Sequence, residues 1–229
     1  MKIGGLLKTS LIEYPKMISA VIFTQGCNFR CPYCHNPELV DPERYSNTIS
    51  EEELLTFLHK RKKLLDAVVI TGGEPTIHED LPRFMKRIRE IGYLIKLDTN
   101  GTNPDMLRRV LDMKLADYIA MDIKAPLEKY SELTRVPCDT AAIKKSIDIL
   151  ARAAIGVEFR TTVLTTLLTE EDIIEIGKLV PPGRKFFLQH FEPTKTLDPS
   201  YLDENSPSLL TLEKLADKLG QAAHNYAVR

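Results

Sequence analysis

An incomplete parallel (β/α)6 barrel is the fold class the sequence predicts, and three observations carry that expectation. Short apolar runs alternate with helix-period segments through six cycles, the pattern of a parallel sheet covered by helices. The chain has 229 residues, short of the roughly 250 usual for an eight-stranded barrel. The residues best able to do chemistry gather where the apolar runs end, which is where ligands of parallel α/β folds bind. A single domain is expected over 1–229, with 16–191 as the barrel core and 192–229 as a rim loop and C-terminal helix.

Each element has a local reason. An extended piece around Ile3 to Lys8 precedes the first strong strand, Ile18 to Thr24, and Gln25 to Asn36 loops away from its end. Ser50 with Glu53 reads as a capping box opening a helix to about Lys63, and Ala67 to Thr71 is the next apolar strand. Pro82 to Ile91 reads as helix and Leu94 to Asp98 as strand; Pro104 after Asn103 then opens a helix to about Asp112. Tyr118 to Asp122 is the fourth strand, followed by a helix over Thr140 to Ala154 and a strand over Gly156 to Val163. A capped helix from Thr169 to Leu179 and a strand over Lys185 to Phe191 complete the cycles. Glu192 to Ser208, rich in Pro, Asp and Ser, reads as a long rim or lid loop before a terminal helix.

Composition excludes several classes. Hydrophobic residues make up 43% and charged residues 28%, as in ordinary globular domains, so a disordered or charge-driven scaffold is excluded. With 31 Lys and Arg against 32 Asp and Glu, nothing argues for a nucleic-acid or anionic-membrane partner. The longest charge-free run, Met17 to Phe29, is shorter than a membrane span needs, and the first residues lack the apolar stretch of a secretory signal. A cytoplasmic protein is expected.

The four cysteines are too few for a disulfide framework, and three of them form C-x3-C-x2-C at Cys27, Cys31 and Cys34. Three thiolates on one loop can hold three corners of a 4Fe–4S cluster, leaving one iron open to a small molecule. A structural zinc site is the competing reading, with His35 or Cys138 as the fourth ligand. It would make the protein a non-enzymatic interaction module. One βα unit later comes T-G-G-E-P at Thr71 to Pro75, where Gly72 and Gly73 would let backbone approach a ligand and Glu74 could accept bonds from an ammonium. Asp98 to Gly101 and Asp122 to Lys124 put carboxylates and an ammonium at strand ends, able to hold a cation, a zwitterion, or merely each other. Arg160 falls on the strand face opposite the apolar Val157 and Phe159, so it is expected to point inward, and His190 ends the sixth strand. His59 and His224 read as packed or solvated helix residues, and Cys138 as an incidental thiol.

"CNFRCPYC" with "TGGEP" resembles the radical S-adenosylmethionine enzymes. That likeness implies an S-adenosylmethionine chelated to the open iron, an electron passed into its sulfonium, and a 5'-deoxyadenosyl radical that abstracts hydrogen. It assigns Gly72, Gly73 and Glu74 to the methionyl amino group and puts Tyr33 beside the adenine. It also favours cofactor roles for Asp98, Asn100, Asp122 and Lys124; the residues by themselves suit a monovalent cation near Asp98 and Asp122, a cofactor carboxylate or partner peptide at Arg160, and the cofactor's ribose or the substrate at His190. The run from Gly4 to Val40 is similar to activating proteins of anaerobic ribonucleoside-triphosphate reductase, and "DTNG" and "DIK" to pyruvate formate-lyase activating enzymes. The implied substrate is a backbone glycine of a glycyl-radical enzyme, with a low-potential electron donor as second partner. The alternative enzyme reading is a small-molecule radical chemistry like that of 7-carboxy-7-deazaguanine synthase.

Overall fold

The computed structural model describes residues 1–192, 194–204, 207–220 and 226–228. Internal contacts divide the chain into two compact units, one of Met1–Asn28, Asn36–Thr99 and Asp105–Ile119, the other of Phe29–His35, Asn100–Pro104 and Ala120–Arg229.

In the first unit β1 (Ile3–Tyr14) turns through Lys16, at φ 64°, into the antiparallel β2 (Met17–Thr24). β3 (Ala67–Gly72) and β4 (Leu94–Thr99) follow in parallel, giving the order β1-β2-β3-β4. Ala20, Val21, Ile22 and Ala67 to Ile70 are all buried, which explains why these strands read as unbroken β-branched runs rather than as alternating ones. Between them lie α1 (Pro37–Val40), α2 (Glu51–Arg61) and α3 (Leu81–Ile91). Ser50 Oγ accepts from the Glu53 amide at 3.1 Å to start α2, and Leu54, Leu55 and Leu58 bury its inner stripe. α3 buries Leu81, Phe84, Met85 and Ile88 and stops at the left-handed Gly92. α4 (Pro104–Asp112) leads to Asp117, which takes a two-pronged contact from Arg89 at 2.8 and 3.2 Å and accepts the Ile95 amide at 2.8 Å.

β5 (Tyr118–Asp122) starts in the first unit and ends in the second. The second unit continues with α5 (Tyr130–Thr134), α6 (Thr140–Ala151), β6 (Gly156–Val163), α7 (Glu170–Leu179), β7 (Lys185–His190), α8 (Leu209–Gly220) and β8 (Tyr226–Val228). β6 runs parallel to β7, from Glu158 opposite Lys185 to Val163 opposite His190, and β7 runs parallel to β8. Phe159, Phe186, Leu188, Ile173, Ile176, Leu212 and Leu219 are buried in this unit. Asp139 caps α6 through the Ala141 and Ala142 amides, and Thr169 and Asp172 close a reciprocal box at the start of α7.

The six expected parallel strands are present, each within a residue or so of its predicted bounds. The ends of the chain differ. The N-terminal piece is a strand reaching Tyr14, because Ser10 Oγ accepts the Ile12 and Glu13 amides and carries the chain across an irregular register. A short strand, β8, follows the terminal helix. The helices predicted to Lys63 and Ala154 end at Arg61 and Ala151. The expected rim loop contains a 3-10 turn at Pro199–Asp203; its Pro193, Asn205 and Ser206 lie outside the described residues, as does His224.

Replacing the α7 cap, Thr169→Ala, removes the half of the box in which Thr169 Oγ1 accepts the Asp172 amide, leaves the Thr169 amide on Asp172, and should lower unfolding free energy by about 1 kcal/mol. A urea titration followed by circular dichroism checks this, and an unshifted midpoint would contradict it.

Candidate cluster and cofactor site

In the first unit the site residues are arranged by backbone contact. The Gly73 amide donates to Thr24 O at 2.9 Å, the Glu74 amide to Gly26 O at 2.8 Å, and the Gly26 amide to Leu39 O at 2.7 Å. Gly72 has φ +112°, and a Cβ there would lie 2.5 Å from Thr24 N; a Cβ on Gly73 would overlap the Gly26 carbonyl. The two glycines therefore let one strand end press on its neighbour immediately before Cys27. The close approach they permit is thus, first of all, that of one backbone to another.

Glu74 is buried, and its Oε1 accepts from the Thr76 amide at 3.0 Å, from Thr99 Oγ1 at 2.8 Å and from Thr76 Oγ1. One carboxylate oxygen thus caps the turn Pro75–Ile77 and ties it to the end of β4. Asp98 is buried on the same strand face as Lys96, whose ammonium stands 2.8 Å from Asp98 Oδ1 in an ion contact rather than a well-angled hydrogen bond. Lys96 was not singled out in the sequence, although its spacing of two from Asp98 on a strand places them together. Thr24 Oγ1, buried at the end of β2, has no hydrogen-bond partner among the described residues, and nothing in its surrounding sequence marks it.

In the second unit Phe29 to His35 carries Cys31, Tyr33 and Cys34. The Cys34 amide donates to Cys31 O at 3.1 Å, so the C-x2-C half of the motif is a tight turn. Burial pushes the Cys31 thiol up to about 11, with Lys124 acting in the opposite sense. Uncoordinated, Cys31 stays a thiol at neutral pH, and metal coordination is what favours its thiolate. Tyr33 is buried edge-on to Phe191, with ring centroids 6.3 Å apart, and burial holds its phenol well above the ordinary value.

His35 stacks on the same Phe191 at 5.0 Å and its Nε2 lies 2.8 Å from Glu192 O. A carbonyl only accepts, so Nε2 carries the proton, and burial lowers the ring's affinity for a second one. That use of Nε2 leaves only Nδ1 of His35, one of the two fourth ligands the zinc reading offered, able to accept a metal. Cys138 has its amide bonded to Ser131 Oγ at 3.0 Å, and all four cysteines are free of disulfides.

Asp122, Lys124 and Arg160 form one cluster. Lys124 Nζ donates to Asp122 Oδ2 at 2.9 Å and Arg160 Nε to Asp122 Oδ1 at 2.8 Å. Burial alone would raise the Asp122 carboxyl, but Arg160 and Lys124 outweigh it and hold it far below the usual range. Burial opposes charge on Lys124 too, yet Asp122, Tyr33 and Cys31 keep its affinity for the proton above normal. The Tyr130 hydroxyl fixes the backbone by accepting the Lys124 amide at 3.0 Å. β6 does the same where the Ile123 amide meets Arg160 O at 2.8 Å and Thr161 Oγ1 meets Ile123 O at 2.7 Å. Arg160 is nearly buried, as its strand face predicted.

Asn100 Oδ1 accepts from the Thr102 amide at 3.0 Å and from Thr102 Oγ1 at 2.7 Å, the turn-forming use of an asparagine. Ser146 Oγ of α6 anchors the same turn at Gly101 O, 2.6 Å away. His190 is half-buried at the end of β7, opposite Val163.

Among the described residues no three His, Cys, Asp or Glu side chains gather as a single-ion site. Within the second unit, Cys31 and Cys34 form a tight turn and carry no disulfide, so they are soft thiol donors of the kind an iron–sulfur cluster takes.

The chain belongs to the Radical SAM superfamily, whose pattern matches residues 21–180, and it is an enzyme of that superfamily. This overturns the reading of a non-enzymatic zinc module. A protein of Methanocaldococcus jannaschii named as a candidate glycyl-radical enzyme activating enzyme is 36% identical over 98% of this chain and 92% of its own. The pyruvate formate-lyase-activating enzyme of Clostridium pasteurianum is 29% identical over 86% of this chain and 83% of its own. Among solved structures, Streptococcus suis SuiB bound to S-adenosylmethionine superposes with a TM-score of 0.70 at 16% identity, covering 91% of this chain and 49% of SuiB. The fold is the incomplete parallel barrel of the radical SAM type.

Asp122→Asn should destabilise the protein at neutral pH. Because the folded-state carboxyl is depressed, its contribution is fully present above the unfolded value of about 4 and fades as pH falls through the lower folded one. The gap between wild type and variant in denaturation midpoint should thus be constant from pH 8 to 5 and shrink in stronger acid. A gap that widens on acidification would contradict the charge arrangement.

Proposed function

We propose that the protein is an activase that cleaves S-adenosylmethionine reductively and generates a glycyl radical on a partner enzyme, the partner being anaerobic ribonucleoside-triphosphate reductase. The observation that carries the activase reading is the near full-length similarity to the Methanocaldococcus protein named as a candidate glycyl-radical enzyme activating enzyme, while the reductase as partner rests on the likeness of the Gly4 to Val40 run alone. Residues 1–229 would work as one catalytic domain, in the cytoplasm, where reducing conditions keep the thiols of Cys27, Cys31 and Cys34 free. No helix among the described residues is long and apolar enough to cross a membrane.

Cys27, Cys31 and Cys34 would hold a 4Fe–4S cluster through three irons. When bound with S-adenosylmethionine, that cluster supplies one electron from a low-potential donor to the sulfonium and so a 5'-deoxyadenosyl radical able to take hydrogen from glycine. The chain's own part is binding and orientation. Asp122, Lys124 and Arg160 together carry one more positive than negative charge, which suits a carboxylate such as the methionyl group. Gly72, Gly73 and Glu74 offer carbonyls and a carboxylate for the amino group, and Thr24 Oγ1 a further polar contact. Tyr33, kept as a neutral phenol, and Asn100, Asp98 and His190 would complete the adenosine side. Lys96 already compensates Asp98, and Lys124 and Arg160 compensate Asp122, so charge balance gives no reason to retain the monovalent cation.

A small-molecule substrate is the second reading, supported by 38% identity to the 7-carboxy-7-deazaguanine synthase of Aquifex aeolicus. That likeness covers 37% of this chain, which is why the activase reading is preferred.

Protein reconstituted anaerobically with iron and sulfide should convert S-adenosylmethionine to 5'-deoxyadenosine when reduced, and Cys31→Ala should lower the rate by at least about a hundredfold while leaving the fold intact. Added to the purified reductase it should produce a glycyl-radical electron paramagnetic resonance signal. Deoxyadenosine formation with no such signal would remove the activase reading and leave the small-molecule one.

A further inference from the structure

The loop Phe29 to His35 is gripped from two sides within its unit. On one side the Arg30 amide donates to Thr134 O at 2.9 Å, at the end of α5, and Phe29 packs on the buried Tyr130 with ring centroids 6.3 Å apart. On the other side Phe191 is completely buried and presents its ring to both Tyr33 and His35, while His35 Nε2 donates to Glu192 O and the Asp198 amide donates to Pro32 O at 2.9 Å. The two sides are joined directly. Arg135, left-handed at φ 54° where α5 ends, places its guanidinium 2.8 Å from Asp198 and over the Tyr201 ring at 5.9 Å.

We propose that Phe191 is the positioning residue of the cysteine loop, and that the Arg135–Asp198 pair latches a clamp that fixes where Cys31 and Cys34 stand before any cluster is assembled. This rests on the reading of those cysteines as cluster ligands. The division of labour follows from burial. One ring supplies two aromatic contacts on either side of Cys34, and such contacts are directional, so rotation of the loop tip loses both together. The latch is half exposed and therefore weak, so it can open without unfolding the unit.

Phe191→Leu tests this, since it keeps apolar bulk while removing the ring. In the metal-free full-length protein, hydrogen exchange at amides 29–36 should become about tenfold faster while exchange in β6 stays unchanged. After reconstitution, the variant should hold at most about half the wild-type iron, or show a changed resonance spectrum for the reduced cluster with S-adenosylmethionine. Wild-type exchange, iron content and spectrum in Phe191→Leu would overturn the proposal. Should that variant fail to fold, Arg135→Gln decides: the clamp requires faster exchange at 30–35, and no change there sinks it. A wild-type protein that takes up no cluster would instead refute the ligand assignment, and the exchange measurement on metal-free protein would still judge the clamp.

Discussion

Backbone pressed against backbone at Thr24 to Gly26 and Gly72 to Glu74 is the constraint on which the first half of the site depends. The Gly73 and Glu74 amides cross there to Thr24 O and Gly26 O, and neither glycine has room for a side chain. The chain leaves β2 at a fixed point and in a fixed direction, so Cys27 starts from a rigid platform although it lies in a loop. The same contacts deliver Glu74 into a buried pocket where Thr76 and Thr99 satisfy one of its oxygens. An uncompensated carboxylate at that depth would be far more costly than the hydrogen bonds that hold it.

Charge in the second half is handled by local compensation. Asp122 is shared between Lys124 and Arg160, and the chain beside them is pinned where the Ile123 amide meets Arg160 O and the Lys124 amide meets the Tyr130 hydroxyl. Such a group needs little reorganisation to meet an anionic ligand, because its dipoles and charges are already oriented. Buried ion clusters of this kind add little net stability, so their value lies in placement.

The six parallel strands, the caps at Ser50 and Thr169, and the cysteine loop were legible because each has a local cause: unbroken β-branched runs, a side chain that bonds its own helix start, and a motif within eight residues. Partnerships between distant segments were not. Nothing near Phe191 signals that it faces Tyr33 and His35, since only the fold brings the end of β7 to the Phe29 to His35 loop. What packs against the paired glycines was hidden for the same reason, because a sequence shows that a side chain is absent but not what takes its place. The ends of the chain were misread where a serine-supported irregularity extended β1 and where β8 returned to pair with β7.

Away from the site, β1 stands first in the strand order. Leu11 and Ile12 are 71% and 82% exposed on the first strand of the order, a combination that ordinarily invites another chain to add itself. Yet Ser10 Oγ has already claimed the Ile12 and Glu13 amides, and the exposed Lys8 stands just upstream. A stray strand would find greasy side chains there but no regular ladder to zip onto. A single hydroxyl thereby acts as a guard against misassembly, which matters most while the chain is newly made and still concentrated around its ribosome.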